Sequence, residues 1–319
     1  MKSVQFLLFR LLIILVVLLS LQPAGIAQFK QPSSVNTARV VVAAGASAAL
    51  WAGSFVALNR AWYAKYPKSK FHFFNDNNEW EQMDKLGHAW TAYQVARFST
   101  EMWKWTGLKN QTSALIGGFS ALAYQSIIEI HDGFSAEWGF SWGDMLANTT
   151  GASLFVLQEI YWNSQRLQLK FSYWPFKYGP EFQQRSNDLF GSSPFERVLK
   201  DYNSQGYWLA ANPNSFGLKG APSWMNVAFG YSSDLMLGAT ENKWTGKDGS
   251  SFDYKFIHRV RRFYISPDID FSRINTKSGF LTGTFFVLNM LKSFVAPTIE
   301  YNSRKKIKVH LLAWKNVMK

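Results

Sequence analysis

The sequence predicts an α+β protein: an N-terminal antiparallel bundle of about four helices, membrane-embedded, followed by an antiparallel β-rich region. Three observations predict it. Charged residues make up only 17% and aromatics a full 17%, which suits a membrane-associated or tightly packed chain and excludes a disordered one. The first half holds several uncharged or amphipathic runs of helical length, whereas from about residue 169 aromatic and polar residues alternate as in strands. Charge divides the same way: residues 1–169 carry 13 Lys/Arg against 10 Asp/Glu, and residues 170–319 carry 21 against 11.

The chain opens with "MKSVQFLLFRLLIILVVLLSLQPAGIAQ". Lys2 and Arg10 precede the apolar run 11–21, Pro23 breaks it, and Gly25, Ile26 and Ala27 lead to a cleavage point after Ala27. This is the pattern of a secretory signal peptide over 1–27, so the protein is expected in the cell envelope. After a polar lead-in, residues 40–59 carry no charge between Arg39 and Arg60, matching the roughly 20 residues a bilayer span needs. Ala43, Ala44, Gly45, Ala49 and Gly53 in that run are expected to permit close helix packing. Residues 64–80 read as a loop, with Pro67 and an Asn/Asp cluster as turn chemistry. Amphipathic helix 84–105 follows, with Arg97, Glu101 and Lys104. Then come turn 106–111, helix 112–130, loop 131–140 and helix 142–162, closing a helical domain over 28–165.

A basic, aromatic domain spans 166–319. Residues 169–174, 225–232, 261–271 and 307–315 read as strands, and 297–314 as a hairpin turning at 302–305. Residues 279–294 fit either a helix or a buried strand, and 183–213 read as a short helix between loops. The chain has no cysteine, which excludes a disulfide framework, a thiolate metal site, a cysteine nucleophile and a lipid-modified cysteine. The basic second half points to membrane lipid, and to anionic lipid or envelope glycan, as partners. Nucleic acid is excluded because no binding motif accompanies the charge and the chain is exported. His72, His258 and His310 lack ligand spacing and read as surface residues, and the run 304–308 reads as a solvated hairpin tip. Trp51, Trp62, Trp80, Trp90, Trp103 and Trp105 read as interface or core residues.

One constellation carries chemistry. If the three helices are antiparallel neighbours, Asp84 and His88 begin one helix at the pole where Glu129 and Asp132 end the next, and Asp144 and Asn148 begin the third. The first and last pairs are spaced i,i+4 and so share a helix face. Two readings stand. Asp84 can be an N-cap, and Ser141-x-x-Asp144 resembles a capping box with Asp in place of Glu. Glu129 and Asp132, however, sit near a helix C-terminus, where the dipole disfavours acids, so they require a cation such as Lys85, His88, His131 or a metal ion. One imidazole with several carboxylates suits a divalent ion such as Zn²⁺, Mn²⁺ or Fe²⁺, with His88, Asp84, Glu129, Asp132, Asp144 and Asn148 as candidate ligands. In a metal-free alternative, His88 acts as general base, oriented by Asp84 beside Glu129. H-E-x-x-H, G-x-S-x-G and phosphate-cradling glycine motifs are absent from the sequence.

The segments "DKLGHAW" (84–90), "IEIHDGF" (128–134) and "FSWGDMLANTTGA" (140–152) together resemble the YfiM-like family of periplasmic bacterial proteins of unknown function, and more loosely VanZ-type membrane proteins. Matching positions are Asp84, Lys85, His88, Glu129, Asp132, Ser141, Asp144, Asn148 and Gly151, within about 80–155. The resemblance implies a shared helical core in which the three motifs belong together, and no established activity. The expectation is an envelope membrane protein with a metal- or ligand-binding carboxylate/His site. The alternative is a non-catalytic anchor or structural protein whose basic half binds anionic lipid or glycan.

Overall fold

The computed structural model describes residues 32–63, 66–246, 248–292 and 297–311. The signal-peptide expectation over 1–27 and the end of the strand expected over 307–315 lie outside them. The described residues form two compact units. Those up to 78 and those over 84–166 make a helical unit, whereas 79–83 and those from 167 onward make a unit built on strands.

The helical unit contains α1 (Thr37–Leu58), α2 (Met83–Trp105, of which Met83 goes with the other unit), α3 (Asn110–Gly133) and α4 (Trp142–Trp162). Asn36 caps α1 by accepting from the Arg39 amide at 3.0 Å. The Arg39 guanidinium donates to the Trp105 carbonyl at 3.0 Å, tying the start of α1 to the end of α2. Further along α1, Trp51 and Phe55 pack against Tyr124 of α3, with ring centroids 5.6 and 4.9 Å apart. α1 and α3 are long and apolar enough to cross a membrane by length and composition. α3 runs three residues past its expected end, so His131 and Asp132 lie in its last turn.

Polarity in this unit is inverted. Thr100, Ser113, Gln125, Asn148 and Gln158 are buried, whereas Val41, Val42, Leu50, Leu115, Phe119, Leu146 and Leu157 are exposed. Packing of small residues brings the helices close; in α1 the expected set is buried at Ala43 but not at its glycines. A Cβ on Gly45 or Gly53 of α1 would meet nothing within 4 Å. One on Gly151 of α4 would run into the Ala89 carbonyl oxygen, and one on Gly117 of α3 would lie 2.6 Å from that of Ala96. These glycines let α3 and α4 approach the backbone of α2. At the opposite end from the acidic motifs, Lys104 bridges Glu101 and the buried Glu159 at 2.8 and 2.7 Å.

The second unit holds β1 (Leu167–Tyr173), α5 (Gln183–Phe190), α6 (Pro194–Lys200), β2 (Gln205–Ala211), β3 (Met225–Asp234), β4 (Lys243–Thr245), β5 (Ser251–Asp253), β6 (Val260–Ile269), α7 (Gly279–Leu288), β7 (Thr298–Asn302) and β8 (Ile307–His310). Six strands form one antiparallel sheet in the order β1-β2-β3-β6-β7-β8, and β4-β5 form a separate hairpin. The segment 183–213, read as one short helix between loops, holds two helices and β2. That strand hides from an alternation test because Trp208 and Ala210 on one face and Tyr207 and Leu209 on the other are all apolar. The segment 279–294 resolves to a helix, α7, capped by Ser278. His310, expected as a bare surface residue, is half-buried and pairs with Glu300 at 2.8 Å.

Two lysines and an aspartate are enclosed in this unit. Lys170 Nζ lies 2.5 Å from Asp268 Oδ2, and Lys292 Nζ lies 3.4 Å from Asp268 Oδ1, with all three side chains wholly buried. Lys170 also donates to the Ile269 carbonyl at 2.6 Å, and Lys292 to that of Pro267 at 2.7 Å.

Residues 79–83 belong here despite their position in the chain. Trp80, Glu81 and Gln82 adopt left-handed φ of 48°, 52° and 62°, each an unfavourable choice for a non-glycine residue. Surrounding contacts hold them. The Trp80 amide donates to the Ala239 carbonyl at 2.8 Å, and the Tyr231 hydroxyl donates to the Glu81 carbonyl at 2.7 Å. The Trp80 ring packs 5.7 Å from Phe190 and 5.5 Å from Tyr202, and the Glu81 carboxylate pairs with Arg261.

Candidate functional site

The three acidic motifs come from one end of the helical unit. Asp84, Lys85 and His88 lie in the opening turns of α2, Glu129 and Asp132 near the end of α3, and Asp144 and Asn148 in the opening turns of α4. Asp84 falls inside the first turn of α2, which opens at Met83, so it is not the N-cap.

Ser141 is the N-cap of α4, and its surroundings explain why Asp144 is free for other partners. The Ser141 hydroxyl accepts from the Asp144 amide at 3.1 Å and donates to Asp76 Oδ1 at 2.6 Å. In a capping box the acid three residues on would accept from the cap amide. Here Glu129 Oε2, from α3, accepts from the Ser141 amide at 3.2 Å. Ser141→Ala is expected to cost about 1–2 kcal/mol in unfolding free energy, read from denaturant titration of the full chain in detergent. A change near zero would remove Ser141 from this account.

Lys85 lies among three carboxylates: 2.6 Å from Asp76, 2.8 Å from Asp144 and 3.3 Å from Asp84. His88 is oriented by an amide. Its Nδ1 lies 3.1 Å from Asn148 Oδ1, which also accepts from Gln125 Nε2 at 2.8 Å. A carbonyl oxygen only accepts, so Nδ1 carries a proton. Nε2 then faces Asp144 Oδ1 at 3.7 Å and Asp84 Oδ1 at 3.9 Å. Glu129 Oε1, buried and without a hydrogen-bond partner among the described residues, lies 3.5 Å from Nδ1. Burial alone would lower the His88 imidazole, but Asp84, Asp144 and Glu129 outweigh it and push its pKa up to about 9. Burial first, and then the charge of Asp84, raises the Asp144 carboxyl to about 7 against the opposing pull of His88 and Lys85.

Five of the six residues singled out in the sequence therefore meet around His88: Asp84, Glu129, Asp144, Asn148 and His88 itself. Asp132 faces a different partner, accepting from the Tyr63 hydroxyl at 2.8 Å. His131 packs its ring 5.5 Å from Tyr63. Asp76 is a residue that sequence reasoning missed, as is Gln125, which lies mid-helix with no spacing signal of its own. The "NDNNEW" context of Asp76 carries only a turn signal, and nothing in local spacing connects it to Lys85 or Ser141.

Residues 72–160 match the family described as "Predicted periplasmic lipoprotein (DUF2279)". The match supports an uncharacterised periplasmic family and does not support the YfiM or VanZ naming. The matched segment contains every residue of the pole, from Asp76 to Asn148, as well as Gly151. It agrees with an exported cell-envelope protein of unknown function. The 319 residues include no cysteine, the residue that carries the lipid in a lipoprotein. No curated protein and no solved structure matches the chain.

Within the matched segment, Asp84, His88 and Asp144 each offer one ligand atom, all within 4.8 Å of one another. The donor set is one imidazole nitrogen and two carboxylate oxygens, which suits a divalent ion of borderline character. The Asn148 contact to Nδ1 supplies the outer hydrogen bond that ligating histidines usually make.

Proposed function

We propose that the pole of the helical unit is a divalent-cation site in an exported envelope membrane protein, with Asp84, His88 and Asp144 as ligands. The observation that carries this reading is the convergence of their three ligand atoms within 4.8 Å beside further carboxylates from Asp76 and Glu129. Asn148 and Gln125 fix the imidazole, and Glu129 holds the Ser141 amide, so ring and α4 terminus are set before any ion arrives. A bound ion of this class would supply Lewis acidity and an acidified water. The membrane part of the reading rests on α1, whose apolar residues Val41, Val42, Leu50 and Val56 face outward while Ala43 is its one buried residue.

A second reading is favoured by Lys85. It already contacts three carboxylates, so the pole can be a structural latch with a built-in cation. Elemental analysis of the full chain, purified in detergent and equilibrated with Zn²⁺, Mn²⁺ or Fe²⁺ before desalting, separates the two. The metal reading expects near-stoichiometric retention of one ion, lost in His88→Ala and Asp144→Asn. Trace metal in the wild type, or equal metal in wild type and variants, would leave the latch alone.

A further inference from the structure

The six-stranded sheet is inverted like the helical unit, and its register shows how. Backbone pairing aligns Leu169 with Leu209, Leu209 with Phe229, Phe229 with Ile265, Ile265 with Ile299 and Ile299 with Val309. One aliphatic row with a single phenylalanine therefore crosses all six strands on one face. Phe229 is 52% exposed, Ile265 48%, Ile299 52% and Val309 62%. The opposite face holds the buried Lys170, Trp208, Ser266, Asp268 and Glu300. A sheet with one face in water places its polar residues outward; this one places charges inward and hydrocarbon outward.

The rows are also ordered along the strands. Next to the aliphatic row runs a mainly aromatic one, in which Phe171 pairs with Tyr207, Tyr207 with Tyr231, Tyr231 with Phe263 and Phe263 with Tyr301; Tyr207 is buried and Tyr231 is held by Glu81, whereas Phe263 and Tyr301 toward the β8 edge are exposed. Beyond it, at the same end of the strands, lie the exposed Arg261, Arg304, Lys305 and Lys306. Aliphatic, then aromatic, then basic is the order of hydrocarbon, interface and anionic headgroup across a leaflet. α7, in the same unit, exposes Phe280, Leu281 and Leu288.

We propose that the outward face of this sheet packs against bilayer hydrocarbon, with the 304–306 end at anionic headgroups. The proposal is independent of the cation site. A second copy of the chain could cover the aliphatic row, but that row leads to an exposed hairpin whose Arg304, Lys305 and Lys306 make no ion pair among the described residues, and phosphate headgroups supply their counter-charge.

The absence of cysteine allows a direct test, because every single-cysteine variant carries one thiol. Phe229→Cys and Ile299→Cys place that thiol at exposed positions whose replacement leaves the buried face untouched. Thr245→Cys, exposed on the separate β4-β5 hairpin, is the comparison. The full chain, labelled with an environment-sensitive fluorophore, is reconstituted in phosphatidylethanolamine–phosphatidylglycerol vesicles. Doxyl-labelled acyl chains are expected to quench positions 229 and 299 several-fold more strongly than position 245, with iodide showing the reverse order. Iodide reaching 229 and 299 as readily as 245 would put the face in water and overturn the proposal. Shielding of 229 and 299 from both quenchers would assign the face to a second copy or another protein, and would overturn it equally.

Discussion

Asp268→Asn is expected to destabilise the strand unit by about 3–5 kcal/mol, because it leaves buried cations without their counter-ion. Asp268 is placed between Lys170 and Lys292, and none of the three side chains reaches solvent. The remaining carbonyl contacts of the lysines, at 2.6 and 2.7 Å, hydrogen-bond the ammonium groups but do not neutralise them. Burial already lowers Lys292 to about 8, with Asp268 pulling the other way. A lysine whose folded pKa is depressed opposes folding while it is charged. Below about 8 both states hold the proton; between there and the unfolded value near 10.4 the unfolded chain holds more, so stability rises with pH. The wild type should therefore gain stability over that window, and Asp268→Asn should move the lower edge downward. Chemical unfolding in detergent across pH measures both effects. A loss below about 1 kcal/mol would mean that water or another group reaches the lysines. Adding Lys292→Met to Asp268→Asn should recover part of the loss, a non-additivity expected of one network.

Lys85→Met is expected to have an effect of similar size in the helical unit. It strands Asp76, Asp84 and Asp144, of which Asp144 is 4% exposed. Removing one partner of such a buried set costs about 3–5 kcal/mol. The informative part is the rescue. If the pole takes a divalent ion, saturating Mn²⁺ or Zn²⁺ should restore most of the loss, since ligand at 100 times its dissociation constant stabilises by about 2.7 kcal/mol. Thermal unfolding of Lys85→Met with and without metal reads this directly. A large loss without rescue would favour the latch, and no loss at all would remove Lys85 from both accounts.

What was legible in the sequence followed from local spacing. α4 begins where Ser141 marks a cap, and α2 begins within one residue of Asp84, because caps and first-turn acids are local signals. The gathering of Asp84, Glu129 and Asp144 followed from short turns between consecutive helices. Asp76 did not, because its partners Ser141 and Lys85 come from other segments. For the same reason local spacing points to Asp144 as the acid that completes the Ser141 cap, whereas the acid in place is Glu129 of another helix. In the second unit alternation revealed strands such as β3 and β6, but a period of two says nothing about which face turns inward. Only the pairing register shows that Lys170, Asp268 and Glu300 take the inside.

The left-handed run at 80–82 bears on how this architecture can be cut and recombined. Its backbone conformation is held by Ala239, Tyr231, Phe190 and Arg261, all of them far downstream in the chain. The strand unit is thus assembled from discontinuous pieces, one of which lies inside the segment matched by the periplasmic family. Neither half is a transferable cassette. A fragment ending near residue 166 would expose Trp80 without its aromatic pocket, and one beginning there would present that pocket without its plug. Gene fusions, truncations and domain swaps should therefore respect the crossing points that fall among the described residues, at 78/79, 83/84 and 166/167.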